Sequence, residues 1–275
     1  MLRVFASVMI LTLTYLCNAG IPQDSTKGNY NLFHPTPGKL MRSFETDRPD
    51  VTESPYTVDA GHFQYETDLF KTDHSSIDGI KTIQNQFNTF NLKSGITNTL
   101  DIQFVLESYV TEKIIHGSST NSESGIGNIT LRAKQNLWGN DHGKTAMAIL
   151  PFINIPTNSN SKITGGLILP LAITLSNDWD FGTEMEVDLT DNQSGSGYHI
   201  NLLASATIGH PLFENISFFA ESLISRDNEL KSLEYFLNSG LIYKWNEKIE
   251  IDTGVYYGLK KTSSKIYFFG LSYRF

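Results

Sequence analysis

The C-terminal stretch of the chain shows the pattern that decides the fold, and it reads Tyr267-Phe268-Phe269-Gly270-Leu271-Ser272-Tyr273-Arg274-Phe275. Every second residue from Tyr267 to Phe275 is large and apolar or aromatic. Successive side chains of a β-strand point to opposite faces, so these residues share one face of a strand. The stretch therefore predicts a strand of about ten residues with one strongly apolar face.

The same alternation recurs through the chain from His62 onward, whereas no helical spacing of apolar residues follows the N-terminus. A clear case is Leu100-Asp101-Ile102-Gln103-Phe104. We predict about twelve strands, near residues 62–71, 82–95, 100–110, 126–137, 145–156, 163–175, 179–189, 198–209, 216–226, 233–245, 249–259 and 264–275. The facing of 82–95 and 145–156 is ambiguous, because both alternate sets of residues are mixed there.

The connections between these strands alternate in length. Compact turns such as 176–178 and 246–248 alternate with longer polar connections such as 111–125 and 190–197. Outer-membrane barrels have short periplasmic turns and longer extracellular loops. A secreted β-sandwich or soluble barrel also alternates apolar and polar residues, but it gives no reason for this asymmetry.

Aromatic residues concentrate at the predicted short turns and at the C-terminus. Such residues form the girdle that anchors a membrane barrel at the lipid–water boundary. The terminal strand ending at Phe275 also resembles the signal that delivers outer-membrane barrels to the barrel-assembly machinery. The predicted girdle residues are Trp138, Trp179, Trp245, Tyr273 and Phe275.

The N-terminus has the organisation of a secretory signal peptide, with Arg3, an apolar run and a small residue at Ala19. We predict cleavage after Ala19, so that residues 1–19 are removed. Leu16 precedes Cys17 where a lipoprotein would have a small residue, which disfavours lipidation. Residues 20–61 are rich in proline and turn-forming residues and are predicted to be irregular, with the barrel at 62–275.

Composition excludes several classes of protein. The net charge of −8 argues against a nucleic-acid-binding protein, and a single cysteine excludes a disulfide framework. The seven histidines have no metal-binding spacing, and no phosphate- or dinucleotide-binding glycine pattern is present. We therefore predict neither metal nor cofactor.

Two stretches near the start of the predicted barrel carry a family resemblance, Thr46-Asp47-Arg48-Pro49-Asp50-Val51-Thr52-Glu53-Ser54-Pro55-Tyr56-Thr57-Val58 and Gly61-His62-Phe63-Gln64-Tyr65-Glu66. With 92–98, 125–128 and 148–151, they resemble an outer-membrane family of transporters of the meta-pathway of phenol degradation. The resemblance covers nearly the whole mature chain and implies passage of aromatic or other small molecules. The family more often has Asp where this chain has Asn128.

If the apolar faces meet lipid, the opposite faces line the lumen, and most charges there are acidic. Such a lumen concentrates cations and repels anions; alternatively, the carboxylates pair with the bases and fill a narrow interior. The pore-lining candidates are Glu66, Asp68, Asp101, Glu107, Arg132, Lys134, Asp180, Glu184, Glu186, Asp188, Glu221, Glu234, Glu250 and Asp252.

The segment before the first strand has two possible placements. It could fold into the lumen as a plug, where Arg42 and Arg48 would neutralise part of the excess of carboxylates and where Asp50 would also lie. It could equally form a periplasmic tail with a rigid proline turn. Unpaired acids at a low-dielectric wall are unfavourable, which favours the plug.

An enzyme is the remaining class of function to weigh, because outer-membrane phospholipase A is a twelve-stranded barrel with a Ser-His-Asn site on its lipid face. The nearest equivalents here are His116 with Ser118 in a loop, and His199 with Asn201 and Ser205 on a predicted inward face. Neither set is placed on the outer face at mid-depth, where that chemistry requires it.

We therefore predict an all-β transmembrane antiparallel barrel in the outer membrane of a Gram-negative bacterium, in contact with lipid. We expect no enzyme activity but passive passage of small molecules, aromatic or cationic ones included, through an acidic lumen. The alternative is a non-conducting barrel that serves as a structural anchor or binds partners through its surface loops.

Overall fold

The computed structural model describes residues 28–141, 143–158, 161–192 and 195–275. The predicted signal peptide, Cys17 and residues 20–27 lie outside the described part of the chain. Within it, the strands form one closed antiparallel barrel. No helix in these ranges is long and apolar enough to cross a membrane.

The elements follow in chain order with one short 3-10 helix at Gly38–Leu40 before the first strand. The strands are β1 (Phe63–Ile77), β2 (Ile80–Gly95), β3 (Leu100–His116), β4 (Ser119–Gly125), β5 (Ile129–Trp138), β6 (Thr145–Ile155), β7 (Thr164–Thr174), β8 (Asp180–Asp191), β9 (Tyr198–Phe213), β10 (Ile216–Asp227), β11 (Ser232–Asn246), β12 (Ile249–Gly258) and β13 (Lys265–Arg274).

The barrel has twelve strands although thirteen strand segments are described, because β4 and β5 occupy one position in the ring. β4 pairs with Val110–His116 of β3, and β5 pairs with Leu100–Leu106 of the same strand. The ring closes where β1 pairs with β13. There the Phe275 N–H donates to the Phe63 carbonyl over 3.0 Å, and the Phe63 N–H donates back over 3.2 Å. The predicted twelve-stranded antiparallel barrel is confirmed.

Burial along the strands is reversed relative to a soluble protein. In β3, Asp101 and Gln103 are fully buried, whereas Ile102 between them is 49% exposed. In β11, Asn238 is buried and its neighbour Leu237 is 54% exposed. Apolar side chains therefore face outward, where lipid solvates them, and polar side chains face the interior. This orientation excludes the soluble sandwich.

Both ends of the barrel chain and five connections meet at one rim, which we call the lower rim. The connections of β9 to β10 and of β11 to β12 each have two residues. Trp138 ends β5, Trp179 precedes β8 and Trp245 lies one residue before the end of β11, so the topology places all three at this rim.

The long polar loop expected at 111–125 is instead a β-hairpin. β3 continues to His116, and β4 returns from Ser119 after a turn at Gly117, whose φ of 59° suits glycine. All residues of β4 are exposed. Because the hairpin rises above the apolar belt, both of its faces meet water and neither needs apolar residues. The sequence pattern was therefore wrong about this element.

Candidate functional site

Residues 42–59, here called the lumen segment, cross the inside of the barrel without regular structure. Pro49 and Pro55 lack the N–H that a strand ladder requires. Side chains and N–H groups of the segment bind strands on opposite sides of the ring, and these contacts place the segment in the interior of the closed barrel. Its partners on the wall are Gln64, Glu66, Asp68, Lys93, Asp101, Arg132, Lys134, Asn136, Glu184, Ser205, Glu221, Asp252, Tyr256 and Arg274.

Arg48 binds carboxylates on two strands at once. Its Nη1 lies 2.6 Å from Asp68 Oδ1 on β1, and its Nε and Nη2 lie 3.0 and 2.7 Å from the two oxygens of Asp252 on β12. The guanidinium lies over the ring of Phe268, 5.8 Å from its centre. A Cβ atom at Gly270 would collide with it. The site thus has the planar, bidentate geometry that arginine provides and lysine does not.

Main-chain N–H groups of the segment donate to carboxylates on β8 and β10. The N–H groups of Val51 and Thr52 donate to the two oxygens of Glu221 over 3.1 and 2.7 Å. The N–H of Glu53 donates to Glu184 Oε2 over 2.7 Å. Glu221, which accepts two of these N–H groups, is thereby stabilised without a neighbouring cation in the described part of the chain.

Carboxylates of the segment meet the opposite wall, where Lys93, Arg132 and Lys134 form what we call the base cluster. Lys93 Nζ lies 2.5 Å from Asp47 Oδ2, and Lys134 binds the other oxygen of the same carboxylate. Arg132 Nη1 lies 2.5 Å from Glu53 Oε1. Burial opposes the charge of Asp47, but Lys134 and Lys93 outweigh it and hold the pKa of Asp47 below its usual range.

The two other predicted plug residues have different surroundings. Arg42 stays near the lower rim, where its Nε lies 3.2 Å from Asp59 and its Nη1 lies 3.6 Å from Asp141. Asp50 forms no ion pair with a cation among the residues that the structure describes. Burial, reinforced by the charge of Glu221, raises the pKa of Asp50 to about 8.

The fourteen predicted pore-lining residues divide into those that bind the lumen segment and those that do not. Glu66 binds the N–H of Asp47, and Asp101 accepts from the N–H of Val58 over 3.0 Å. The other residues bound by the segment are Asp68, Arg132, Lys134, Glu184, Glu221 and Asp252.

Six predicted residues are not bound by the segment. Glu107 accepts from the N–H of Asn128 over 2.8 Å. Glu234 lies 3.2 Å from Lys260 near the upper rim, which is the end of the barrel opposite the lower rim. Glu186 and Asp188 lie on β8, two and four residues beyond Glu184 towards the upper rim. Asp180 is the first residue of β8, and Glu250 lies at the start of β12.

Three cavities adjoin the segment. One of about 500 Å³ is lined by Arg42, Asp59, Asn140 and Arg274 at the lower rim. A second, of about 440 Å³, lies between the segment and β7–β12. A third, of about 260 Å³, lies on the side of Asp68, Lys71 and Tyr256. Space for small molecules therefore exists on both sides of the segment.

Sequence reasoning missed the residues at the centre of the site. Asp47 was one acid among many in an acidic chain, and Lys93 lies on β2, whose facing was ambiguous. It also missed an apolar stretch of the inner wall on β6 and β7, where Ala148 and Leu150 are fully buried and Ile168 nearly so. Both faces of these strands are apolar, so alternation gave no signal there.

The two possible Ser-His pairs are not formed. His116 and Ser118 flank the turn of the β3–β4 hairpin. His199 Nδ1 lies 2.9 Å from Asn192 Oδ1, with Asp227 and Glu229 at 3.6 and 3.5 Å from the ring nitrogens. Ser205 bonds Thr52 instead, over 2.6 Å. His199 and Ser205 are therefore each bound to other described residues and not to one another.

Solved structures with similar folds include outer-membrane channels and the transport units of autotransporters. An outer-membrane channel from Pseudomonas putida F1 is 11% identical, covers 84% of this chain and 100% of its own, and gives a TM-score of 0.55. The transport unit of the autotransporter AIDA-I from Escherichia coli is 12% identical, with 77% and 88% coverage and a TM-score of 0.53. The β domain of the Bordetella autotransporter BrkA is 12% identical, with 78% and 99% coverage and a TM-score of 0.52.

At such identities these likenesses show the fold alone. No curated protein matches the sequence. A family model named "Putative MetA-pathway of phenol degradation" matches residues 46–275, which include most of the lumen segment and the entire barrel. The chain belongs to this family.

Proposed function

We propose that the protein is an outer-membrane channel for passive passage of small molecules, and that the lumen segment closes or narrows the path. One observation carries the proposal: the segment binds both walls, with cavities on either side of it. A barrel that served only as an anchor would not need a polar interior with water-accessible cavities. Membership of the family and the similar fold of the channel from Pseudomonas putida F1 support this reading.

The residues that line the lumen indicate which solutes could pass. Carboxylates on β8, β10 and β12 form an acidic wall that favours cations. The apolar inner stretch around Leu150 and Ile168 offers contact to an aromatic or aliphatic body. We propose that the channel passes small solutes with an apolar part, and we expect simple ions to pass along the acidic wall.

Displacement of the segment is tested by a reversible cross-link. Thr52 Oγ1 and Ser205 Oγ lie 2.6 Å apart, so cysteines at both positions should form a disulfide that fixes the segment to β9. The described residues contain no cysteine to interfere. In a planar bilayer, Thr52→Cys/Ser205→Cys should conduct less when oxidised and recover when reduced. Each single cysteine variant is the matched control and should not respond.

The alternative, a non-conducting anchor that acts through its surface, predicts a different result. Neither the reduced cross-link variant nor a chain without residues 28–58 would then conduct, although both would still show the heat-dependent gel mobility of a folded barrel. Conductance that is equal in the oxidised and reduced states would show that passage does not need movement of the segment.

A further inference from the structure

The base cluster on the inner wall takes most of its ion-pair partners from the lumen segment, with Asp101 of β3 as a further nearby carboxylate. Among the described residues, its ion pairs are with Glu66 of β1 and with Asp47 and Glu53 of the lumen segment. The strands therefore supply one ion-pair partner for three cations, and the segment supplies two. Lys93 and Lys134 are almost fully buried, so each of them requires an anion.

The arrangement around Asp47 has the features of a ligand-binding site. Its carboxylate accepts from the two lysines on different strands and also from the N–H of Ser54 over 3.1 Å. Both oxygens are thus bound by donors that converge on one point. A single carboxylate, carried on an otherwise irregular segment, occupies this point.

An apolar surface borders the base cluster directly. Arg132 pairs across the sheet with Phe152 of β6, and Leu150, two residues along on the same face, pairs with Ile168 of β7. Leu150 is fully buried and Ile168 is 3% exposed. A small molecule with a carboxylate at the lysines would therefore place its apolar body against this surface.

We propose that the base cluster is a binding site for small organic carboxylates and that Asp47 occupies it as an internal ligand. A solute such as benzoate competes with Asp47 for Lys93 and Lys134, and so weakens the hold of the segment on this wall. The inference names the solute class of the channel proposed above and rests on that function. Carboxylate binding at the base cluster does not conflict with a cation-preferring current, because the acidic wall determines the flow of simple ions, whereas the cluster binds one carboxylate group of a solute.

Chemical rescue tests the site without measuring current. Asp47→Gly removes the internal carboxylate and leaves Lys93 with Glu66 alone and Lys134 with only the more distant Glu53, 3.9 Å away. The barrel should therefore unfold at a lower temperature in the heat-dependent gel assay. Formate and benzoate should restore the unfolding temperature, and benzoate should act at the lower concentration. Formamide and benzamide, at equal ionic strength set with chloride, should need at least about tenfold more.

The matched control is Glu45→Gly, which removes an exposed carboxylate of the same segment. Its unfolding temperature should not respond to carboxylates. Equal rescue by the amides or by chloride, or no rescue at all, would overturn the proposal. Since this assay measures binding, it can fail while the channel still conducts, and it can succeed in a barrel that does not conduct.

A second measurement applies if Asp47→Gly does not fold. In the full-length Thr52→Cys/Ser205→Cys protein, the rate of disulfide formation reports how closely the segment stays docked. Benzoate should slow the cross-link several-fold, and benzamide should leave the rate unchanged. Identical rates with both compounds would contradict competition at the base cluster.

Discussion

Arg48 joins the lumen segment to two strands that are neighbours only through β13. Arg48→Lys keeps a charge but loses the bidentate contact with Asp252, and Arg48→Met leaves Asp68 and Asp252 facing each other unpaired. Loss of one partner of a buried ion pair typically costs about 3–5 kcal/mol. We expect a lower unfolding temperature and a larger conductance, with Met more severe than Lys.

Two further variants serve as a second disruption of the same contact and as a control. Gly270→Ala should act like Arg48→Lys, because the new methyl group displaces the guanidinium from the wall side. Lys113→Gln removes an exposed positive charge of the β3–β4 hairpin and should change neither property. An Arg48→Met variant as stable and as closed as the wild type would show that this contact does not hold the segment.

The acids of the segment predict a pH dependence. Burial, with Glu221, raises the pKa of Asp50 to about 8, and burial, with Asp47, raises the pKa of Glu53 to about 7. An acid with a raised pKa stabilises the docked state when protonated, and that contribution is lost as pH rises through the raised value. Conductance should therefore increase as pH rises from about 4, near the ordinary pKa of these acids, to about 8, the raised pKa of Asp50.

Asp50→Asn provides the test of this assignment, because an amide cannot ionise. We expect the upper part of the pH response, near pH 8, to disappear in this variant while the part near pH 7 remains. A conductance that falls as pH rises would contradict the sign derived from these two carboxyls. Bilayer recordings at constant salt across the pH range provide the measurement.

At the scale of elements, the terminal strand closes the barrel. The main chains of Phe275 and Phe63 exchange two hydrogen bonds, and their rings stack with centres 5.8 Å apart. Deleting Phe275 removes one rung of the closing ladder and the final aromatic of the exposed face. We expect a modest loss of stability in purified protein, about 1–2 kcal/mol from the lost hydrogen bonds, and a much larger loss of assembled protein in cells.

The difference between the two assays separates closure from delivery to the assembly machinery. Phe275→Tyr keeps the main-chain bonds and an aromatic ring, and it should assemble nearly normally. If deletion lowers refolding in detergent as much as assembly in cells, the residue acts through closure alone.

The strands were predictable where one face meets lipid and the other meets the interior. In β3 and β13 alternation located the strand to within a few residues at the end near the lower rim. It missed the continuation of β3 above Val110, where both faces of the hairpin meet water, and it left the facing of β6 ambiguous, because both faces of that strand are apolar. Contacts of the lumen segment were not predictable in detail, since the partners of Asp47 and Arg48 depend on which strands lie opposite each other in the closed ring.

For the whole molecule, the interior is divided by charge, with Lys93, Arg132 and Lys134 on one side and acids along β8, β10 and β12 on the other. The segment turns its N–H groups to the acids and its carboxylates to the bases, so its removal exposes both walls. The acids are the larger set, and a chain lacking residues 28–58 should therefore prefer cations when the reversal potential is measured under a salt gradient.

Glu186 and Asp188 test this selectivity with the least effect on docking, since they face the interior of β8 beyond the contacts of the segment. Glu186→Gln/Asp188→Asn should shift the reversal potential of the deletion variant towards zero. Val187→Thr, on the lipid face between them, is the control and should leave it unchanged. A deletion variant that prefers anions would mean that the base cluster, rather than the acidic wall, governs the narrowest part of the path.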